Sequence, residues 1–119
     1  NVIKSVGKGF VEAVEANEEY SPQTEQTVRA VVEPIINKGA DVLVLGCTHY
    51  PFLRDVIAKV IGDRNVEIID SGEAVEKRVE SLLDEYDLRA ESGHKAEYEF
   101  VSFAADDYAE RLRRKAFSR

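Results

Sequence analysis

The sequence predicts an α/β domain with a largely parallel sheet flanked by helices. The first observation is a continuous apolar, β-branched run at 41–45 (DVLVL), which is typical of a strand covered on both faces in a parallel sheet. The second is the helical spacing of apolar residues before and after this run. Helices and strands therefore alternate, in the order helix–strand–helix–strand–helix–strand–helix, which favours parallel pairing.

The first half of the chain is punctuated by serine, proline and glycine. Residues 1–20 indicate only a short strand or turn segment rich in glutamate. Ser21-Pro22 marks the start of a helix and Gly39 its end, and Pro34 is expected to bend it. The inner face of this helix is predicted to consist of Val28, Val31, Val32, Ile35 and Ile36.

Two helices and a strand follow the central run. One helix is predicted from Pro51 to Gly62. Its buried stripe is formed by Leu53, Val56, Ile57, Val60 and Ile61. A short buried strand is predicted at Val66–Ile69, and Ser71-Gly72 then opens a third helix. The inward face of that helix is expected to contain Val75, Val79, Leu82, Leu83 and Tyr86.

The last part of the chain predicts a loop, a strand and a helix. Residues 89–95 are polar and contain a glycine, so they predict a linker or exposed loop. The alternation at 97–103 predicts a strand with Tyr98 and Phe100 on one face. A last helix is predicted at 105–116. Its apolar face is expected to contain Tyr108, Ala109, Leu112 and Ala116.

The composition limits the kinds of partner. The chain has 119 residues and a net charge of −7, which argues against a general nucleic-acid binder because phosphate contacts require clustered lysine and arginine. No apolar segment is long enough to cross a bilayer, so we expect no membrane partner. A single cysteine excludes an internal disulfide and is typical of the reducing cytoplasm, where we expect the protein to lie. Because the sequence contains no methionine, we expect it to be part of a longer protein.

The cysteine lies in a hexapeptide, Gly46–Pro51 (GCTHYP), at the end of the central run. In open parallel sheets, ligands bind beyond the carboxyl ends of the strands. The helix that follows the hexapeptide points its positive dipole end toward the same place, which favours both a thiolate and a bound carboxylate. The pattern therefore suits an amino-acid substrate.

Other interpretations of these residues stay open. A lone cysteine after a buried strand is often a small core hydrophobe. A Cys47-x-His49 pair is also a pattern of metal ligands, but two ligands make a weak metal site. Thr48 is a candidate helix cap, Asp70 is expected to cap the helix at 72, and Tyr50 is expected to pack.

The hexapeptide Gly46–Pro51 resembles the second-cysteine signature of the glutamate racemases. Three flanking segments are also similar to segments of that family, namely Phe10–Glu15, Lys38–Asp41 and Ile69–Gly72. Glu15 precedes Cys47 by 32 positions, as the family pattern has it. The resemblance covers residues 10–72 by motifs and residues 73–119 only by the order of elements.

The resemblance implies a two-domain fold like that of the aspartate/glutamate racemases, with the active site between the domains. It places residues 1–70 in the later half of the second domain and residues 71–119 in a return segment that packs on the first domain. The first domain, which supplies the other catalytic cysteine, is not part of this sequence. We therefore expect the isolated chain to be inactive and its exposed apolar faces to cause self-association.

The resemblance also implies a reaction. Two cysteines on opposite sides of the substrate interconvert L- and D-glutamate by proton transfer, without pyridoxal phosphate or metal, and the D-glutamate supplies bacterial peptidoglycan. Cys47 is then the base for L-glutamate and the acid in the reverse direction. His49 is its proton-handling neighbour, Glu15 orients His49, and Thr48 binds the substrate together with Cys47.

Two alternative functions stay open. An aspartate or broad-specificity amino-acid racemase is disfavoured by His49, because aspartate racemases usually resemble Cys-Thr-Glu at this point. A non-catalytic α/β module that binds a small ligand or a protein is an alternative from a different class. In such a module Cys47 is structural, His49 bonds the backbone and Glu15 is a solvated charge. The reactivity of the Cys47 thiol separates these hypotheses.

Overall fold

A computed structural model describes residues 1–103 and 107–117. The chain divides into two compact units, Asn1–Leu82 and a second unit that begins at Leu83. The elements in chain order are α1 (Phe10–Glu15), α2 (Pro22–Ile36), β1 (Val42–Leu45), a 3₁₀ helix (Tyr50–Leu53), α3 (Arg54–Ile61), β2 (Glu67–Asp70), α4 (Gly72–Glu85) and α5 (Tyr108–Phe117). The division at residue 70 that the resemblance implies concerns a domain outside this sequence, and it stays a prediction.

Helix α1 replaces the strand or turn expected before residue 20, so that prediction was wrong. Gly9 precedes the helix with a φ of 85°, a conformation that glycine adopts without strain. Phe10 and Val14, four positions apart, are both buried. Their side chains anchor this one-and-a-half-turn helix to the core, because a helix this short has little stability of its own.

Helix α2 begins where the sequence predicted. The Ser21 hydroxyl oxygen accepts a hydrogen bond of 3.1 Å from the Thr24 amide, and Pro22 occupies the first helical position. Gly39 follows the helix with a φ of 88°. Val28 and Val32 are buried on the inner face, as the helical spacing indicated.

The two strands of the sheet are parallel, which confirms the predicted fold class. Val42 pairs with Glu67 and Leu45 with Asp70, so the second strand begins and ends one residue later than predicted. β1 is covered on one face only, because Leu45 is buried whereas Val44 is 67% exposed. The expectation of cover on both faces was therefore wrong for this chain, and β2 likewise is only partly buried.

The core lies between α1, α2, α3 and the inner face of the sheet. Its buried members are Phe10, Val14, Val28, Val32, Leu45, Leu53, Val56, Ile57, Val60 and Ile61. All five members of the stripe predicted from Pro51 to Gly62 are among them. The core therefore holds the end of β1 and the start of α3 in place, on either side of the hexapeptide.

Helix α4 has no buried residue, although all of its residues are described. Val75 and Val79 are about half exposed, and Tyr86, just past the helix end, is exposed as well. Leu82 and Leu83 are partly buried. The expectation of an inward apolar face was therefore wrong. The expectation that the isolated chain exposes apolar faces is confirmed for Val75 and Val79 on α4, whereas Tyr108 and Ala109 of the last helix are partly buried.

In the second unit the strand predicted at 97–103 is absent from the described residues. Tyr98 and Phe100 instead pack edge-on against Phe117, with ring centroids 4.9 and 6.0 Å apart. The predicted last helix is present as α5, while its first residues, 105 and 106, lie outside the described residues. In the described part of the chain, every helix is too short or too polar to cross a membrane.

Candidate functional site

A cleft of about 400 Å³ lies at the carboxyl ends of both strands. It is lined by Val44, Leu45, Gly46, Cys47, Thr48, Ile69, Asp70 and Ser71. This is where an open parallel sheet places its ligands, because the segments that follow neighbouring strands diverge there. Cys47 is partly buried in the cleft, which makes it neither a core side chain nor a fully solvated one.

The hexapeptide forms a tight turn that begins at Cys47. The Cys47 carbonyl accepts a hydrogen bond of 3.2 Å from the Tyr50 amide, which opens the 3₁₀ helix. Pro51 lies within that helix and supplies a preset φ. Leu53 then returns the chain to the core, where it is fully buried. Cys47 therefore lies in a partly exposed turn between two residues anchored in the core, Leu45 and Leu53.

His49 contacts the two polar residues that the sequence associated with it. Its Nε2 lies 3.5 Å from Glu15 Oε1, and its Nδ1 lies 3.4 Å from the Thr48 hydroxyl oxygen. A neutral ring that donates from Nε2 to Glu15 can accept at Nδ1 from Thr48. The structure thus brings Glu15 and Thr48 to His49, two positions after Cys47 in the chain. Of the predicted site residues Cys47 and Thr48 line the cleft, whereas His49 and Glu15 are not among its lining residues, and the catalytic roles stay predictions.

Tyr50 holds α1, and with it Glu15, against the hexapeptide. Its hydroxyl oxygen accepts a hydrogen bond of 3.2 Å from the Gly7 amide, and its ring packs edge-on against Phe10 at 5.2 Å between centroids. A Cβ atom at Gly7 would lie 2.9 Å from the Tyr50 ring and 2.5 Å from that of Phe10, so this contact requires glycine. The expectation that Tyr50 packs is confirmed. Sequence reasoning missed Gly7, for which the sequence carries no signal of its own.

Asp70 forms the opposite wall of the cleft. Its Oδ1 accepts a hydrogen bond of 2.9 Å from the Gly72 amide at the start of α4, which confirms the predicted capping role. Its Oδ2 accepts one of 2.8 Å from Arg54 Nη1, while Arg54 Nη2 donates to the Ile68 carbonyl at 2.9 Å. Sequence reasoning missed Arg54. The signal was an arginine at the start of α3 and an aspartate at the end of β2, the element that follows.

The chemistry of the site is that of a thiol, an imidazole and a carboxylate. In the part of the chain that the structure describes, no group of three His, Cys, Asp or Glu residues is arranged to hold a metal ion. Cys47 and His49 therefore lack a third ligand among these residues. These groups can support proton transfer between the thiol and a bound molecule, or nucleophilic attack by the thiolate.

A family model described as Asp/Glu/Hydantoin racemase matches residues 5–79, more than half of the chain. The glutamate racemase of Pseudomonas putida is 44% identical over 90 residues, which cover 76% of this chain and 34% of that protein. The chain therefore spans about a third of the length of the curated relatives it matches.

Two solved structures have a similar fold. The glutamate racemase of Thermus thermophilus in complex with β-chloro-D-alanine gives a TM-score of 0.71 at 32% identity, over 87% of this chain and 40% of that one. The glutamate racemase of Francisella tularensis in complex with D-glutamate gives a TM-score of 0.60 at 30% identity, over 71% of this chain and 31% of that one.

Proposed function

Since the chain belongs to the Asp/Glu/hydantoin racemase family, we propose that it forms one side of the active site of a glutamate racemase. The observation that carries the proposal is the position of Cys47. It lines the cleft at the carboxyl ends of two parallel strands, next to a His49 whose ring lies 3.5 Å from Glu15. The enzyme is an isomerase that interconverts L- and D-glutamate without a cofactor.

The proposed reaction uses two thiols on opposite sides of the substrate. The Cys47 thiolate takes the α-proton of L-glutamate, and the pair of electrons stays on the α-carbon. A second thiol, supplied by a segment outside this sequence, donates a proton to the opposite face, which yields D-glutamate. In the reverse direction the second thiol is the base and Cys47 the acid. Hydrogen-bond donors around the substrate carboxylate must stabilise the carbanion-like state.

His49, Glu15 and Thr48 serve Cys47 in this proposal. His49 is the electrostatic or proton-handling neighbour of the thiol, and Glu15 orients the ring through Nε2. Proton exchange with Cys47 requires Nδ1 to leave the Thr48 hydroxyl. Thr48 lines the cleft and is exposed, so its hydroxyl and backbone are accessible to a substrate carboxylate. Support comes from the two polar contacts on the ring, of 3.5 Å to Glu15 and 3.4 Å to Thr48, since partners on both nitrogens favour one orientation of the ring.

Glutamate is the proposed substrate in preference to aspartate. The relatives at about 40% identity are glutamate racemases, and the Francisella tularensis structure is a complex with D-glutamate. His49 within the hexapeptide favours the same choice. We further propose that the reaction takes place in the cytoplasm and that its product supplies peptidoglycan.

The isolated chain is proposed to be inactive. It contains one cysteine, and the two-base reaction needs a second thiol. We also propose that isolated copies associate through their exposed apolar side chains, because Val75 and Val79 on α4 are not covered. Sedimentation velocity over a range of concentrations tests this. A monomer at all concentrations would contradict it, and V75D/V79D should reduce the association.

Deuterium uptake from solvent at the α-carbon of each glutamate enantiomer tests the racemase proposal. The assay compares the 119-residue chain alone with a Pseudomonas putida racemase whose matching 90 residues are replaced by those of this chain. We expect exchange and inversion by the chimaeric enzyme and neither by the chain alone. Turnover by the chain alone would show that a second thiol is not needed.

Cys47→Ala in the chimaeric enzyme gives the decisive signature. Inversion should fall by about 10²- to 10⁴-fold, the usual contribution of a positioned acid or base. Exchange without inversion should persist on D-glutamate only, because the second thiol still removes that proton. Tyr20→Phe, outside the cleft, is the control and should leave inversion unchanged. If inversion survives Cys47→Ala, Cys47 is not one of the two bases.

A further inference from the structure

Asp70 is the one charged side chain among the described residues that line the Cys47 cleft. A carboxylate in this wall is unfavourable for the chemistry of the site. It repels a thiolate, and it repels a substrate that carries carboxylates of its own. Its capping bond to the Gly72 amide explains why an acceptor is present, but that bond does not balance the charge.

Arg54 supplies the opposite charge from outside the cleft. Its Nη1 lies 2.8 Å from Asp70 Oδ2, and its Nη2 is held by the Ile68 carbonyl, so the guanidinium is fixed at two points. Arg54 follows directly on the 3₁₀ helix that Cys47 opens. The turn that positions the thiol therefore also positions the cation on Asp70.

Arg54 also borders a second cleft that contains further carboxylates. A neighbouring cleft is lined by Arg54, Glu67, Ile68, Ile69, Asp70 and Glu73. Among these described residues Arg54 is the single cation beside three carboxylates. Glu73 pairs with Lys77 and Glu67 lies at the start of β2, so without Arg54 it is Asp70 that would be left without its cation, at the end of β2 and in the wall of the Cys47 cleft.

We propose that Arg54 is a positioning residue that neutralises Asp70, so that anionic molecules can approach Cys47. The part of this proposal that concerns the substrate rests on the proposed function, in which a dicarboxylic amino acid enters the cleft. The pair is partly exposed, at 47% for Arg54 and 21% for Asp70, so it contributes little to the stability of the fold. Removal of the ion pair therefore changes the charge beside the cleft but has little effect on the stability of the fold.

Alkylation of Cys47 measures this charge without any need for turnover. Cys47 is the only cysteine of the 119-residue chain, so iodoacetate and iodoacetamide both report on it alone. The two reagents modify a thiolate by the same displacement of iodide, but iodoacetate is an anion and iodoacetamide is neutral. The ratio of the two alkylation rates therefore depends on the electrostatic potential at Cys47. A change in the fraction of thiolate alters both rates equally and leaves their ratio unchanged.

Arg54→Gln should lower the ratio of the iodoacetate rate to the iodoacetamide rate by about threefold at low ionic strength. The difference between this variant and the unsubstituted chain should vanish in ~1 M salt. Arg54→Lys, which keeps the charge, should retain most of the ratio. R54Q/D70N should restore it, because it removes the charge left unpaired. Arg29→Gln is the matched control, since Arg29 pairs with Glu25 and Glu33 on α2, away from the cleft.

An unchanged ratio in Arg54→Gln would overturn the proposal. A lowered ratio that R54Q/D70N fails to restore would also overturn it, because Arg54 would then act by bracing the backbone. Circular dichroism of each variant establishes that it is folded. If Arg54→Gln does not fold, Asp70→Asn provides the test, because it leaves the Arg54 charge unbalanced and should raise the ratio, and an unchanged ratio there would overturn the proposal. The measurement is independent of racemisation, so a failed glutamate assay and a failed charge assay lead to separate conclusions.

Discussion

Helices α2 and α4 have 15 and 14 residues, and each carries a row of valines at helical spacing, yet their surroundings differ completely. Val28 and Val32 of α2 are buried against the core, whereas Val75 and Val79 of α4 are about half exposed. A periodic apolar pattern in the sequence therefore identifies which face of a helix is apolar. Whether that face is covered depends on residues elsewhere in the protein.

The two helices are consequently stabilised by different interactions. α2 gains stability from apolar contacts with α3 and from the Lys59–Glu25 ion pair between the two helices. α4 depends on local interactions, which are the Asp70 cap at its first residue and the Lys77–Glu73 pair one turn apart. Local pairs of this kind stabilise a helix by only about 0.2–0.5 kcal/mol each. α4 is therefore expected to open far more readily than α2.

The largest expected effect is that of shortening one valine in each helix. Val32→Ala in α2 should lower the free energy of unfolding by about 2 kcal/mol, because it leaves a cavity at a side chain that is 2% exposed. Val79→Ala in α4, where the side chain is 48% exposed, should change it by about 0.5 kcal/mol or less. Urea unfolding of dilute protein, followed by circular dichroism, measures both. Equal losses would show that α4 is covered in solution.

A smaller effect is expected for the hydroxyl that ties α1 to the hexapeptide. Tyr50→Phe removes the acceptor of the Gly7 amide and should cost about 1 kcal/mol, because the amide is then left in a buried position without that partner. Tyr20→Phe removes an exposed bond of 3.1 Å to Asp55 and should cost less. The same unfolding experiment compares the two variants. A larger loss of unfolding free energy for Tyr20→Phe would contradict the expectation that covered hydrogen bonds contribute more to stability than exposed ones.

The smallest effect is expected for ion pairs, and it depends on pH. Hydrogen bonds from Lys59 and then from Arg29 hold the pKa of Glu25 below its usual value. The stabilisation is therefore present at pH values above the usual pKa of a glutamate, and it is lost as the pH falls through the lowered pKa. Glu25→Gln should lower the melting temperature slightly at neutral pH and not in strong acid. Glu73→Gln in α4 is the control, and a similar loss there would contradict the comparison.

The sequence predicted the covered half of the molecule well, because its signals are local. Ser21 and Pro22 mark the start of α2, and the apolar stripe after Pro51 is buried throughout. The hexapeptide pointed to the strand end, where the structure has a cleft, and Glu15 lies next to His49 as expected. Each of these predictions depends on residues that are close in sequence or on a known spacing.

Predictions that depend on distant partners were less successful. The alternation at 97–103 predicted a strand, but a strand requires a neighbour, and the described residues provide none. Val44 lies in an apolar run, yet nothing in the described chain covers its face of the sheet. The Arg54–Asp70 pair joins the start of α3 to the end of β2, 16 positions later in the chain, so its members could be recognised as partners only in the structure.

The parallel register also bears on the order in which we expect the elements to fold. Val42 pairs with Glu67, so the 3₁₀ helix and all of α3 lie between the paired residues. Closing so long a loop costs chain entropy that only the docking of α3 on α2 repays. We therefore expect the helices to form and pack before the strands pair, with the cleft around Cys47 among the last features to appear during folding. A nascent or partly refolded chain carries its thiol without the walls that select what may react with it.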